Sequence, residues 1–451
     1  MCSFCSNFAL EMKKVCLFIV LLLCAGRLFA VRDSLPHYEL AYRLGCVAGI
    51  IMQDGKVDPW LGKRPVLGGS FAVEFLPTGR WHCLKQWNNA SIGVGATYLN
   101  LGNDKMLGSA FAAYGYMNQP FYNGTHFRIG ARPTVGLAAV TKTYANTLPD
   151  GYNRYEVAKD AQGNYVANWS IGSILNAYLA MELYMDFPIQ DGLEITLNGG
   201  WHHISNGSIM HPNAGYNMFA GALGVRYRPT NPTTPHMRPT PPTPQELHEE
   251  VDKPWAVEIS ATGGVKQNYY RDNYPKMHFF GAATIKAAAY WVPLSIFRLG
   301  AGVDAFYDGY YACVSREFAD ANPNATVTYF GKTYLKESNI ANCFRVGFSI
   351  QPEFIIGRLT AGLHVGFYLY DPIKNLEPFA EAKAADEAGT SLNRGLFYAY
   401  DFTKASNYQD GWCYMQFVLK YHVLDHLFVQ LGLKTHGVRA EFIDAGLGVA
   451  F

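Results

Sequence analysis

Charge is what this sequence is short of. Only 16% of its 451 residues are Asp, Glu, Lys or Arg, against about a quarter in an average soluble domain. The formal net charge is +1. Removing residues 1–30 takes away Lys13, Lys14, Arg27 and Glu11, a net +2, and leaves about −1. No sign dominates, so neither nucleic acid nor an acidic surface is implied as a partner. Long apolar runs are also scarce. Past the N-terminal segment none is long enough for a membrane-crossing helix, and mean hydropathy is −0.04. Cysteine is limited to nine residues, of which Cys46, Cys83, Cys313, Cys343 and Cys413 lie beyond residue 30. None has CxxC spacing, so no zinc site or redox motif is indicated, and no metal or cofactor is expected. The odd number leaves at least one thiol unpaired.

Aromatics, at 15%, and 44 glycines are what the chain has instead. At the N-terminus, Lys13-Lys14 precede an apolar run from Val15 to Gly26, and Leu28-Phe29-Ala30 ends it. That order predicts a secretory signal peptide cleaved near Ala30. Segments of about ten residues then alternate apolar and polar, the signature of a transmembrane antiparallel β-barrel. Tyr38, Leu40, Tyr42 and Leu44 alternate with Glu39, Ala41, Arg43 and Gly45. Similar runs follow near 67–75, 91–98, 107–116, 127–137, 175–186, 193–205 and 216–227. A soluble sandwich also alternates. Here the strands are long, their polar faces carry charge, and aromatics gather at strand ends as in interfacial girdles.

Residues 229–254 break the pattern with a Pro/Thr-rich run that reads as an extended periplasmic linker. Alternation then resumes for eight more strands between 255 and 451. The last of them closes on Phe451. It resembles the terminal strand of outer-membrane barrels, whose final aromatic is recognised by the barrel assembly machinery. Ala222–Tyr227 and Gly446–Phe451 match in register, as duplicated halves would. The expected fold is an all-β outer-membrane barrel of about sixteen strands, with two tandem eight-stranded barrels as the alternative. Its divisions are a signal peptide at 1–30, a site-bearing half at 31–228, the linker, and a second half at 255–451.

The chemistry concentrates in Leu193–Tyr227. Residues two apart in a strand share a face, so His203 and Ser205 point the same way, within reach of each other. Their face also carries Leu193, Ile195, Leu197 and Trp201, while Glu194, Thr196, Asn198 and His202 lie opposite. A hydroxyl beside a base on the greasy face of a strand suits a lipid ester as substrate. Strand parity puts Ser205 near the outer end, at the level of the outer leaflet. The turn Asn206-Gly207-Ser208, with Asn213, is positioned to supply N–H donors to an oxyanion. His202 is expected in the lumen, and His211 in a solvated loop. Trp201 is expected as lipid-facing bulk or an interfacial anchor rather than a substrate clamp.

His203-Ile204-Ser205-Asn206, then Pro212-Asn213-Ala214-Gly215 and a closing strand, resemble the lipid A 3-O-deacylase (PagL) family. Related Bacteroidetes-type sequences are labelled acyloxyacyl hydrolase. The resemblance covers residues 37–228, most sharply 171–227, and leaves the C-terminal half as an addition. It implies a serine esterase in the outer membrane of a Gram-negative bacterium, acting on lipid A or lipopolysaccharide without metal or cofactor. It makes Ser205 the nucleophile and His203 the base, with Asn206 and Asn213 in supporting positions. The family's acid falls where this chain has Asn217, whose amide oxygen can accept the His203 Nδ1–H but cannot stabilise an imidazolium as a carboxylate does. The competing expectation is a non-catalytic barrel, a channel or surface protein on the same scaffold.

Overall fold

The computed structural model describes residues 38–52, 64–77, 82–124, 126–152, 158–161, 164–229, 251, 253–268, 278–310, 327–329, 332–334, 343–371, 413–437 and 439–451. The segment expected to be a signal peptide and all but the ends of the expected linker lie outside these residues, as does Cys313. Each alternating segment forms a strand. The first eight are β1 (Tyr38–Ile51), β2 (Val66–Pro77), β3 (Ser91–Asn100), β4 (Ser109–Asn123), β5 (Arg128–Val140), β6 (Leu175–Gln190), β7 (Leu193–Ser205) and β8 (Tyr216–Tyr227). A strand of 13 residues such as β7 runs about 43 Å at 3.3 Å per residue. Tilted as barrel strands are, it spans the roughly 30 Å of a bilayer's hydrocarbon.

Of the two expected arrangements, the tandem pair of eight-stranded barrels forms and the single barrel of about sixteen strands does not. β1 pairs with β8 from Tyr42↔Tyr227 to Ile51↔Met218, which closes the first eight strands into a barrel of their own. A second closed barrel contains β9 (Trp255–Asn268), β10 (His278–Leu294), β11 (Phe297–Asp308), β14 (Phe344–Ile356), β15 (Leu359–Tyr370), β16 (Cys413–Leu424), β17 (Leu427–His436) and β18 (Arg439–Ala450). It closes where β18 meets β9, from Ala445↔Gly263 to Ala450↔Glu258. A small hairpin, β12 (Val327–Tyr329) with β13 (Lys332–Tyr334), lies between β11 and β14 in the chain.

The reason for two narrow barrels lies in the polar faces. A barrel of about sixteen strands leaves an aqueous channel, whereas eight strands leave room only for side chains. In the first barrel Arg43 on β1 reaches both carboxylate oxygens of Asp186 on β6, at 3.0 and 2.8 Å, and pairs with Glu74 on β2. Arg226 on β8 bonds Glu194 on β7 at 2.6 Å. The Arg43–Asp186 pair joins strands that are not neighbours in the sheet and so closes only across a narrow lumen. The second barrel is filled in the same way. Lys420 donates to Glu258, Glu353 and Tyr290 at 2.6, 2.7 and 3.0 Å. Burying ions this way is tolerable because each is paired and hydrogen-bonded. The exterior is the reverse, apolar and open: Leu223 is 62% exposed while its neighbour Ala222, facing the lumen, is 8% exposed.

Both barrels have a turn end and a loop end. Short connections at Asp191-Gly192, Ser295-Ile296, Gly357-Arg358 and Asp425-His426 mark the turn end. The longer connection between β2 and β3 carries a short helix, α1 (His82–Gln86). Its length has a structural use. Just after it, Trp87 donates its indole N–H to the Ile355 carbonyl of β14 at 3.0 Å and meets Phe354 edge-on. Leu84 packs in a cluster that includes Ile356. The barrels are therefore stitched together at the turn end. They are stitched again at the loop end, where residues 208 and 211 bond Gln267 and Ala440 of the second barrel.

Candidate active site

Two strand partners make the site. His203 on β7 lies directly opposite Asn217 on β8 in the antiparallel ladder, where paired side chains on one face stand about 5 Å apart. The Asn217 Oδ1 is 2.8 Å from His203 Nδ1. An amide oxygen only accepts, so Nδ1 carries the ring proton and Nε2 is left as the acceptor. Ser205, two residues along β7, donates its hydroxyl to that Nε2 at 2.7 Å. The three form a continuous relay from amide through imidazole to hydroxyl. It stands on the barrel's exterior, on the same face as the exposed Leu197, Phe219 and Leu223. Trp201 lies on this wall too, with its indole stacked on the His203 ring at 5.4 Å and 16°.

Asn206 and Asn213 are brought together, but they face each other. The Asn206 N–H donates to Asn213 Oδ1 at 2.9 Å. The Asn206 side chain donates to Ser173 Oγ and to the Met210 carbonyl, both at 2.7 Å, and accepts the Met210 N–H. These bonds brace the β7–β8 loop from within. The Asn206 amide is thus engaged, whereas the N–H groups of Gly207 and Ser208 have no acceptor among the described residues. Both residues take positive φ, 61° and 69°, a conformation that turns successive amides out of the usual ladder.

Gly215 is a residue whose part the sequence did not reveal beyond its place in the Pro-Asn-Ala-Gly run. Its φ is +76°, and a Cβ there would lie 2.9 Å from His203 Cε1 and 3.2 Å from Ser205 Cβ. Only glycine lets the loop pass this close behind the imidazole. The Gly215 N–H is held by the Ser170 carbonyl at 2.8 Å. Residues 170–173, before β6, thus support the site from the other side.

The other titratable candidates sit elsewhere. His202 faces the lumen, with Nδ1 2.8 Å from the Tyr178 hydroxyl. Glu182 and Glu194 also point inward, to Asn198 and Arg226. Among the described residues no carboxylate bonds His203, and none forms with neighbouring His, Cys, Asp or Glu a group able to hold a metal ion. The His211 N–H bonds Gln267. His436 turns into the second lumen, 2.8 Å from the Tyr368 hydroxyl, so the second barrel does not repeat the relay. Chemically, the arrangement offers a hydroxyl whose proton has a ready acceptor, and a ring held in the tautomer that can receive it.

Family models match both halves of the chain. The family model described as "Lipid A 3-O-deacylase (PagL)" matches residues 69–226. That described as "Acyloxyacyl hydrolase, C-terminal domain" matches residues 255–381 and 392–451. The chain belongs to the lipid A 3-O-deacylase (PagL) and acyloxyacyl hydrolase family. Among solved structures it is similar to Neisserial surface protein A, at 11% identity and a TM-score of 0.26, over 42% of this chain and 96% of that one. It is similar to the attachment invasion locus protein Ail of Yersinia pestis, at 10% identity and a TM-score of 0.24, over 43% and 99%. A third is the outer-membrane enzyme PagL, at 15% identity and a TM-score of 0.22, over 42% and 99%. No curated protein sequence matches the chain. Membership of the deacylase family makes the first barrel a deacylase scaffold and the second its C-terminal companion domain.

Proposed function

We propose that this protein is an outer-membrane serine esterase that removes an ester-linked acyl chain from lipid A or lipopolysaccharide. The observation that carries the reading is the Asn217–His203–Ser205 relay, built on the exterior of a filled barrel where lipid is the neighbour. Ser205 Oγ attacks the ester carbonyl carbon as its proton passes to His203 Nε2. The tetrahedral intermediate collapses to an acyl-serine, and Nε2 returns the proton to the departing sugar alkoxide. Water then attacks the acyl-serine while Nε2 takes its proton. That proton goes back to Ser205 as the fatty acid leaves. Asn217 keeps the ring in register throughout. The unengaged N–H groups of Gly207 and Ser208 are the donors we assign to the oxyanion.

Placement in the bilayer follows the same reading. The loop end faces the outer leaflet, which brings Ser205 to the level of lipid A. The turn end and the linker at 229–254 face the periplasm, behind a signal peptide at 1–30. The Phe451 N–H and carbonyl both pair with Val257, which ties the strand end to β9.

The test is mass spectrometry of lipid A from outer membranes containing the wild type or Ser205→Ala. The wild type is expected to shed one acyl chain and the variant none, with both barrels folded. Lipid A left unchanged by the wild type would refute the esterase and favour a surface or channel barrel on a deacylase scaffold.

A further inference from the structure

Gln267 breaks the rule of its strand. On β9 the exterior parity runs through Trp255, Val257, Ile259 and Val265, all well exposed. The next position on that face is a glutamine that is only 3% exposed. An amide aimed outward from a barrel wall is costly against hydrocarbon unless something covers and bonds it. The first barrel does both. Gln267 Oε1 accepts the His211 N–H at 2.9 Å, and the Gln267 N–H donates to the Ser208 carbonyl at 2.9 Å. The Ser208 hydroxyl donates to the Ala440 carbonyl on β18 at 2.7 Å. A Cβ built on Gly207 would strike Ile443 of β18 at 2.4 Å, so the loop backbone lies flush against the second barrel.

The segment so gripped, 207–211, begins two residues after Ser205 and contains both unengaged N–H groups of the site. Its inner side is fixed by Asn206, Asn213 and Ser173, within the first barrel. Its outer side is fixed by the second barrel.

We infer that the second barrel is a positioning element of the esterase site, with Gln267 as the residue that sets the Gly207–Ser208 amides through the 207–211 loop. This rests on the esterase reading above. Gln267 touches no reacting atom. It acts through the loop, so its loss alters transition-state stabilisation and leaves ground-state lipid binding alone. Oxyanion donors act only on charge that develops in the transition state, and displacing or removing one costs about 10²–10³ in kcat. A loosened loop that still visits the right geometry is expected to cost about 10- to 100-fold.

The experiment uses the full-length protein in lipopolysaccharide-containing vesicles. It compares the wild type with Gln267→Ala, Gln267→Glu and Ser205→Ala for fatty-acid release. Hydrogen exchange is followed in the peptide containing His211, and heat-modifiable electrophoretic mobility reports folding. Gln267→Ala should lower kcat about 10- to 100-fold with KM within about twofold, and unprotect the His211 amide. Gln267→Glu, which keeps an acceptor oxygen, should recover most of the rate. Wild-type kcat in Gln267→Ala overturns the inference, as does equal loss in Gln267→Glu, or a His211 amide already unprotected in the wild type. A wild type with no Ser205-dependent release overturns the esterase reading and this one together. A fully active Gln267→Ala overturns this one alone.

Discussion

Gly215 passes so close behind His203 that any side chain would collide with the ring: a Cβ would sit 2.9 Å from its Cε1. Gly215→Ala carries two penalties, a positive φ unsuited to an L-residue and displacement of the imidazole from Ser205. The expected outcome is a loss of about 100-fold in ester hydrolysis with barrel folding retained. It is measured with a chromogenic acyl ester in detergent, beside electrophoretic mobility before and after heating. A normal rate would show that the loop has room to retreat.

Asn217 makes the converse prediction. Its oxygen is already 2.8 Å from Nδ1, so Asn217→Asp changes charge and keeps shape. A carboxylate stabilises the imidazolium formed as Ser205 gives up its proton, which an amide does not. In the Ser-His-Asp triad of serine proteases, the opposite change, Asp to Asn, costs about 10⁴ in kcat. Asn217→Asp is expected to raise kcat at neutral pH at least about tenfold. Asn217→Ala, which frees the ring to turn, should lower it. Steady-state rates on the same ester decide both.

Strands and faces were legible because the period of two is written locally in each segment. Tyr42 and Leu44 against Arg43, or Leu197 against Thr196, declare in and out without reference to anything distant. His203 and Ser205 share a face for the same reason. Closure was not legible, because nothing in Tyr42 says that its neighbour is Tyr227. The pairing of Arg43 with Asp186 across the lumen is likewise a fact of three dimensions. Asn206 and Asn213 were picked out as supports, yet their bond to each other depends on a loop conformation that residue types do not specify. Gln267 could have been found: a lone amide on the Val257–Ile259–Val265 face is a sequence-level signal.

The lumen network predicts a stability effect with an address. Arg43 is buried and bonds Asp186 twice, beside Glu74. Arg43→Met removes the central cation between two buried carboxylates and leaves Asp186 with Arg128 at 3.4 Å and Glu74 with Arg226 at 3.3 Å. Breaking a buried pair costs about 3–5 kcal/mol, and these remaining partners put the expected loss at the lower end. Urea unfolding in vesicles, followed by fluorescence of tryptophans kept in one barrel at a time, should show the first barrel losing stability while the second holds. Equal effects on both would mean that the barrels unfold as one.

The exterior predicts a bilayer-specific cost. Leu223 is 62% exposed and pairs across the ladder with Leu197, well inside the strand ends. Leu223→Lys should destabilise the barrel by about 2–4 kcal/mol if that wall faces hydrocarbon at midplane. Equilibrium unfolding in vesicles measures it. A change within experimental error would mean that the wall is not in contact with lipid tails.

Under the proposed esterase function, a hydroxyl on the outside wall of a filled barrel would meet its reactant by sideways travel within a sheet of lipid. The quantity that governs such an encounter is molecules per unit area. Spreading the same amount of substrate through more inert amphiphile slows the reaction, although the amount per millilitre is unchanged. The filled lumens thus turn a three-dimensional problem of supply into a two-dimensional one.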